Sequence, residues 1–331
     1  MSKGMFLTDP GTPITITEPD GRGSPEEVHL LAPEEIAAVN AALAARRALL
    51  VRGEPGAGKT QLARAAAVAL HRAFVGLTVD ARTESRDLLW HFDAVARLAE
   101  AQRQGAGGAE RLQPTQTTES SLAIERFVAP RALWWGLDWA GAAAQAQRAG
   151  APEPPPLAEG CRPANGVVVL IDEIDKADSD VPNGLLEALG AGHFPVPGRR
   201  EPVRASASAP PLVIVTTNAE RALPEAFVRR CLTLDLVLPK ERPELVERLI
   251  TRGRAHFPGA SDDLLLQAAE MLARDREIAI DRGWRPRPGQ AEFMDLVRAA
   301  LTLAPVHDTT PEALLATLRP YMLLKSGQDI G

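Results

Sequence analysis

Apolar residues fall into two rhythms along this chain. Short runs at 49–51, 166–171 and 212–215 are apolar almost throughout, 73–79 is interrupted by Gly76 and Thr78, and 232–236 alternates as Leu-Thr-Leu-Asp-Leu; all five read as strands. Runs apolar at consecutive positions suit strands covered on both faces, as in a parallel sheet. Between them the spacing lengthens to a helical period. One helix opens at Pro33-Glu34-Glu35 and continues to about Arg46, with Ile36, Val39, Asn40 and Leu43 on one face. Others are expected directly after residue 60, over 85–104, from Pro130 through Arg148, and over 180–191. Strands alternating with helices imply an α/β fold, a five-stranded parallel sheet with helices on both faces.

The remaining stretches break this rhythm. Residues 1–32, rich in Pro and Gly, read as an extended arm with at most one edge strand. Residues 105–121 are loop-like, and 150–163, dominated by Pro, Ala and Glu, should form a mobile surface loop. Residues 192–205 read as a hairpin with Phe194 at its tip. From Pro239 onward only helical periods remain, at about 241–256, 261–277, 288–303 and 311–324. The chain therefore divides into the arm, an α/β domain over 33–238, and a small helical lid domain over 239–331.

Composition narrows the functional classes. A net charge of −6 over 331 residues provides no global basic field for nucleic acid. Cys161 and Cys231 are far apart and lack metal-ligand spacing, so they read as reduced thiols. No apolar run approaches a membrane span, and Met1-Ser2-Lys3-Gly4 does not open a signal peptide. These features together predict a cytoplasmic protein.

The chemistry concentrates where strands end. Leu49-Leu50-Val51 runs into Arg52-Gly53-Glu54-Pro55-Gly56-Ala57-Gly58-Lys59-Thr60, a strand feeding G-x-x-x-x-G-K-T and then a helix from Gln61. That context makes residues 53–61 a phosphate cradle: glycines let backbone N–H groups turn inward, and the helix dipole faces the phosphates. Lys59 would reach the β- and γ-phosphates, and Thr60 would ligate Mg²⁺. The strand at 166–171 ends in Asp172-Glu173. An acid there points into the crevice at the carboxyl ends of the strands. Asp172 would hold the metal through its water shell, and Glu173 would polarise an attacking water. Asp175 reads as a cap for the turn that follows.

This order continues with Leu212–Val215 leading to Thr216-Thr217-Asn218, then Leu223-Pro224-Glu225-Ala226-Phe227-Val228-Arg229-Arg230-Cys231. It resembles an AAA+ ATPase, and within that superfamily the MoxR-like branch. The resemblance spans about residues 33–325. It implies ATP and Mg²⁺ as cofactors and a homo-oligomeric, hexameric ring acting on a separate protein partner, such as one with a von Willebrand A domain. It also implies that Asn218 occupies the sensor 1 position and aligns the lytic water, that Arg229 or Arg230 is a finger reaching the neighbouring subunit's nucleotide, and that Arg287 is the sensor 2 residue. Chain in excess of a minimal core, at about 105–165, matches an insert of that branch, and 192–205 its hairpin. Trp134, Trp135 and Trp139 in the insert either contact a partner or pack onto the core. Two other readings are a nucleotide-dependent scaffold in bacterial signalling or defence, and a nucleic-acid motor. The acidic charge disfavours the motor. A small-molecule kinase fits neither the finger region nor the helical lid.

Overall fold

The computed structural model describes residues 6–17, 27–106, 122–152, 154–206 and 209–323. The expected loop at 105–121 therefore lies almost wholly outside the described residues. The arm contributes two strands rather than one: β1 (Ile14–Ile16) pairs antiparallel with β2 (Glu27–His29). It is not merely an appendage, because Leu7, Ile14, Ile16 and Leu31 are buried against the main core. Helix α1 (Pro33–Ala45) follows, and its third residue, Glu35, accepts from the Ala32 N–H at 2.9 Å, closing the helix start.

The central sheet is laid out from β3 (Leu49–Gly53), β4 (Arg72–Thr78), β7 (Arg162–Asp172), β10 (Leu212–Thr217) and β11 (Leu232–Leu236). Their order is β11-β3-β10-β7-β4, with every pairing parallel, as the apolar runs predicted. Side chains alternate between faces. Leu49, Val51, Val168, Leu170, Leu212 and Ile214 pack with α1 and α2 (Lys59–Ala69), whereas Leu50, Val169, Ile171, Val213 and Val215 face a second core. Placing β10 between β3 and β7 brings the carboxyl ends of those three strands side by side. That is the crevice where an open α/β sheet binds its ligand.

The second core departs from expectation. Residues 85–104 are not one helix: a 3₁₀ turn at Ser85–Leu88 leads into strand β5 (Trp90–Phe92), and only then α3 (Ala94–Ala106). β5 pairs antiparallel with β6 (Val128–Pro130). The helix expected over 130–148 is broken into α4 (Ala132–Leu137) and α5 (Trp139–Ala149). Asp138 leaves helical geometry at the junction, and its side chain accepts from the Gly141 N–H to cap α5. Trp134 and Trp135 are buried, so of the two readings of these tryptophans, packing onto the core is the one the structure takes. Helix α6 (Asp180–Ala191) is followed by the expected hairpin, β8 (His193–Phe194) with β9 (Val203–Arg204). Phe194 stands at its base rather than its tip, 2% exposed and edge-on to Trp134 at 6.0 Å.

After α7 (Glu225–Arg230) and β11, the chain is helical: α8 (Arg242–His256), α9 (Asp262–Asp281), α10 (Gln290–Leu303) and α11 (Pro311–Met322). These enclose their own apolar core, with Leu249, Leu264, Leu272, Phe293 and Leu296 fully buried. Among the described residues no helix is long and apolar enough to cross a membrane.

Candidate functional site

The turn after β3 is built by glycine. Gly56 and Gly58 have φ of 75° and 92°, in the left-handed region that L side chains rarely adopt. A Cβ on Gly56 would also stand 2.7 Å from that of Ala291, the second residue of α10. Gly58 is the N-cap of α2, so the first N–H groups of that helix open toward the crevice.

Lys59, the first residue of α2, is 7% exposed. Its Nζ donates to the carbonyls of Gly53 and Glu54 at 2.8 and 3.0 Å and to Asn218 Oδ1 at 2.7 Å. Burial lowers its pKa, and the charges of Asp172, Asp175, Glu173 and Glu54 oppose that shift. The Thr60 hydroxyl donates to Asp172 Oδ2 at 3.0 Å, while the Thr216 hydroxyl donates to the other carboxylate oxygen. This pair suits a hard cation that takes few protein ligands and fills its remaining positions with water and phosphate oxygen.

Glu173 follows the last residue of β7 and is held in left-handed geometry, φ 60°. Its N–H donates to Thr216 Oγ1 at 2.9 Å, and its carboxylate accepts from Asn218 Nδ2 at 3.1 Å and from Lys176 Nζ at 2.5 Å. A non-glycine residue held at positive φ with three partners is aimed rather than free. Asn218, just past β10, thus spans Lys59 and Glu173, one from each of its amide atoms. Asp175 does not cap the turn that follows it. It is 2% exposed, and its carboxylate accepts the Asn218 and Glu220 N–H groups, fixing the loop after β10.

Lys59, Thr60, Asp172, Glu173 and Asn218 line one cleft of about 370 Å³ with Pro55, Gly56, Gly58 and Gln61. The opposite walls come from elements the sequence had not joined to it: Glu27, Val28 and His29 of β2, His256 at the end of α8, and one face of α10. That face carries Gln290, Ala291, Met294, Asp295 and Arg298. Their helical spacing was visible in the sequence; that they face this crevice was not. Behind this wall, Glu35 is fully buried, and burial would raise its pKa. The His29 ring at 3.1 Å, the Ala32 N–H and the Arg252 guanidinium at 3.6 Å more than offset this and hold it below the usual range. His256 is pushed down to about 4 by burial and by the charges of Arg252, Arg298 and His29.

Six expected residues do not line this cleft: Gly53, Glu54 and Ala57 of the glycine turn border an adjoining pocket with Asn218, and Arg287, Arg229 and Arg230 stand elsewhere. Arg287 does not line the cleft; its Nη1 lies 3.7 Å from Glu54, which Arg276 also holds at 2.7 Å. Arg229 and Arg230 are exposed at the end of α7 and do not line this chain's own cleft, and Arg229 pairs with Glu225. Their main-chain carbonyls are gripped by the Arg47 guanidinium, which fixes the end of α7.

A family model described as AAA domain (dynein-related subfamily) matches residues 48–231, more than half of the chain. No curated protein matches it. Among solved structures, that of the Thermotoga maritima RuvB Holliday junction branch migration motor is similar at 16% identity and a TM-score of 0.45, covering 87% of this chain and 67% of that one. A single-residue mutant of the same RuvB gives 16%, 0.46, 87% and 68%.

Proposed function

The chain belongs to the AAA domain family, in its dynein-related subfamily, and we propose that it is a Mg²⁺-dependent ATPase of the MoxR-like kind, working as a hexameric ring that remodels or chaperones a separate protein. The observation that carries the hydrolytic part is Asn218 bridging Lys59 and Glu173 at the mouth of the phosphate loop. In this reading the glycine turn and the first N–H groups of α2 bind the phosphates. Lys59 exchanges its present carbonyl and amide acceptors for phosphate oxygens. Thr60 and Asp172 hold Mg²⁺, which when bound neutralises charge on the transferring phosphoryl group. Glu173 takes up the proton of the attacking water, and Asn218 fixes both groups in line.

The position of Arg229 and Arg230 supports assembly. Exposed guanidinium groups on an anchored helix end, away from their own cleft, suit a finger supplied to a neighbouring copy. In this reading Arg298, which lines the cleft from α10, takes the nucleotide-facing role in place of Arg287 of the preceding loop. The acidic net charge favours a protein client over nucleic acid.

The test is ATP turnover against protein concentration, with mass measured alongside, for wild type, Glu173→Gln and Arg230→Ala. Turnover should rise cooperatively as the ring forms, and Arg230→Ala mixed with wild type should poison neighbouring sites. Flat turnover per chain from a monomer would overturn the ring and leave a nucleotide-dependent scaffold as the better account.

A further inference from the structure

Past the end of β10, three consecutive N–H groups are each held by a side chain. Those of Asn218 and Glu220 donate to the two carboxylate oxygens of Asp175, at 3.4 and 2.9 Å, and that of Ala219 donates to Thr217 Oγ1 at 2.9 Å. Ala219 has left-handed geometry, φ 58°, which an L side chain keeps only where its surroundings hold it there. Asp175 is buried in the 3₁₀ turn Ile174–Lys176, which directly follows Glu173. A buried carboxylate is costly unless hydrogen-bonded, and N–H groups donated to an ionised acceptor form the stronger bonds. The fold commits such a group to three residues of loop.

That loop carries Asn218, whose amide joins Lys59 at 2.7 Å to Glu173 at 3.1 Å. The ladder between β7 and β10 ends at Ile171 and Val215, short of both residues. Beyond it, the two chain segments are tied by the Glu173 N–H on Thr216 Oγ1 and by the two bonds to Asp175. Asp175 therefore takes over the registration that the sheet no longer supplies. Both of its partners are donors, so only a carboxylate satisfies them. An asparagine would accept from one and turn its own NH₂ toward the other.

We propose that Asp175 is a positioning residue for hydrolysis, which sets Asn218 in register with Glu173 and so acts on the chemical step rather than on nucleotide binding. The inference rests on the hydrolytic reading above. A misplacement of about 1 Å by a group outside the chemistry is enough to cost on the order of 10²-fold in rate.

The experiment measures kcat and KM for ATP, with nucleotide affinity from a fluorescent analogue, for wild type, Asp175→Asn, Asn218→Ala and the double variant. Asp175→Asn should lower kcat about tenfold or more and leave affinity within about threefold. In the Asn218→Ala background the same change should cost less than about twofold, because the group it acts through is gone. A residue that merely supported the fold would cost the same in both backgrounds. Glu220→Pro, at an exposed position, removes one of the two donors without touching the buried carboxylate and should reproduce the loss of kcat. Glu220→Ala keeps that N–H and should stay within about twofold of wild type. The Glu220 pair decides the matter even if Asp175→Asn fails to fold. Wild-type kcat in Glu220→Pro, equal cost in the two backgrounds, or affinity falling in step with kcat would each overturn the inference and leave the hydrolytic reading standing. A wild type that binds nucleotide without turning it over would overturn that reading, and the inference with it.

Discussion

At the scale of single residues, the cleft contains groups that chemistry needs and one that folding must hold neutral. Glu173→Gln keeps the hydrogen-bonding shape of the side chain and removes its basicity. Turnover should fall by about 10²–10⁴-fold, the usual contribution of a general base. Nucleotide affinity, read from titration with a fluorescent analogue, should stay within a few-fold. His256 makes the opposite kind of demand. Its folded pKa of about 4 lies below the unfolded value near 6.5, so the unfolded chain binds the extra proton between those values. Stability is therefore fully present above about pH 6.5 and declines as pH falls toward 4. Between pH 7.5 and 5 the loss should be roughly 2 kcal/mol, seen as a falling urea midpoint that His256→Gln flattens. Sequence made one of these residues legible and hid the other. Glu173 ends a run that fixes its own strand, so its position follows from its neighbours. His256 ends an ordinary amphipathic helix, and its setting is supplied by Arg252, Arg298 and His29, which come from three separate elements. Arg287 lies beside Glu54 and outside the cleft lining, a setting equally hidden in the sequence because a loop residue goes where its partner stands.

At the scale of elements, the central strands β3, β7 and β10 were readable because burial on both faces demands apolar residues at consecutive positions, whereas the edge strands β4 and β11 carry polar residues at their exposed positions. The region from Ser85 to Ala149 was not readable, because short elements there owe their form to each other. β5 exists only through its pairing with β6, and one Asp cap divides what periodicity alone would run together. Trp134 holds this region to the sheet: it meets Phe194 at 6.0 Å with planes at 79°, and the Arg199 guanidinium lies over its ring at 5.4 Å. Trp134→Ala should cost about 3–5 kcal/mol by leaving a cavity in the core. Phe194→Ala should cost a similar amount. The double variant should lose less than the sum, by about 0.5–1.5 kcal/mol for the edge-to-face pair. Strict additivity in denaturant melts would mean that the hairpin base and α4 pack independently.

At the scale of the whole molecule, the nucleotide cleft is closed by two bodies with separate cores, and their junction runs through the phosphate loop itself. Glu54, in the middle of that loop, is held by Arg276 of α9 at 2.7 Å and neighboured by Arg287, while Gly56 abuts Ala291 of α10. Arg276 is 7% exposed, and its other fork donates to the Pro288 carbonyl, so the segment leading into α10 is tied to the same point. A loop that must wrap phosphates is thereby positioned by helices that wall the opposite side of the cleft. Glu54 itself is 44% exposed, so water can replace it at modest cost to folding. Glu54→Gln should lower global stability by no more than about 1 kcal/mol, as for a solvent-accessible pair. If the contact sets the geometry of the loop against α10, nucleotide binding should weaken by much more than that stability change implies. The protection that ligand gives against thermal unfolding, about 2.7 kcal/mol at a hundred times Kd, should then require correspondingly more nucleotide in the variant. Affinity left unchanged while stability drops would mean the bridge merely fastens one body to the other, and that the phosphate loop takes its shape from Gly56, Gly58 and Lys59 alone.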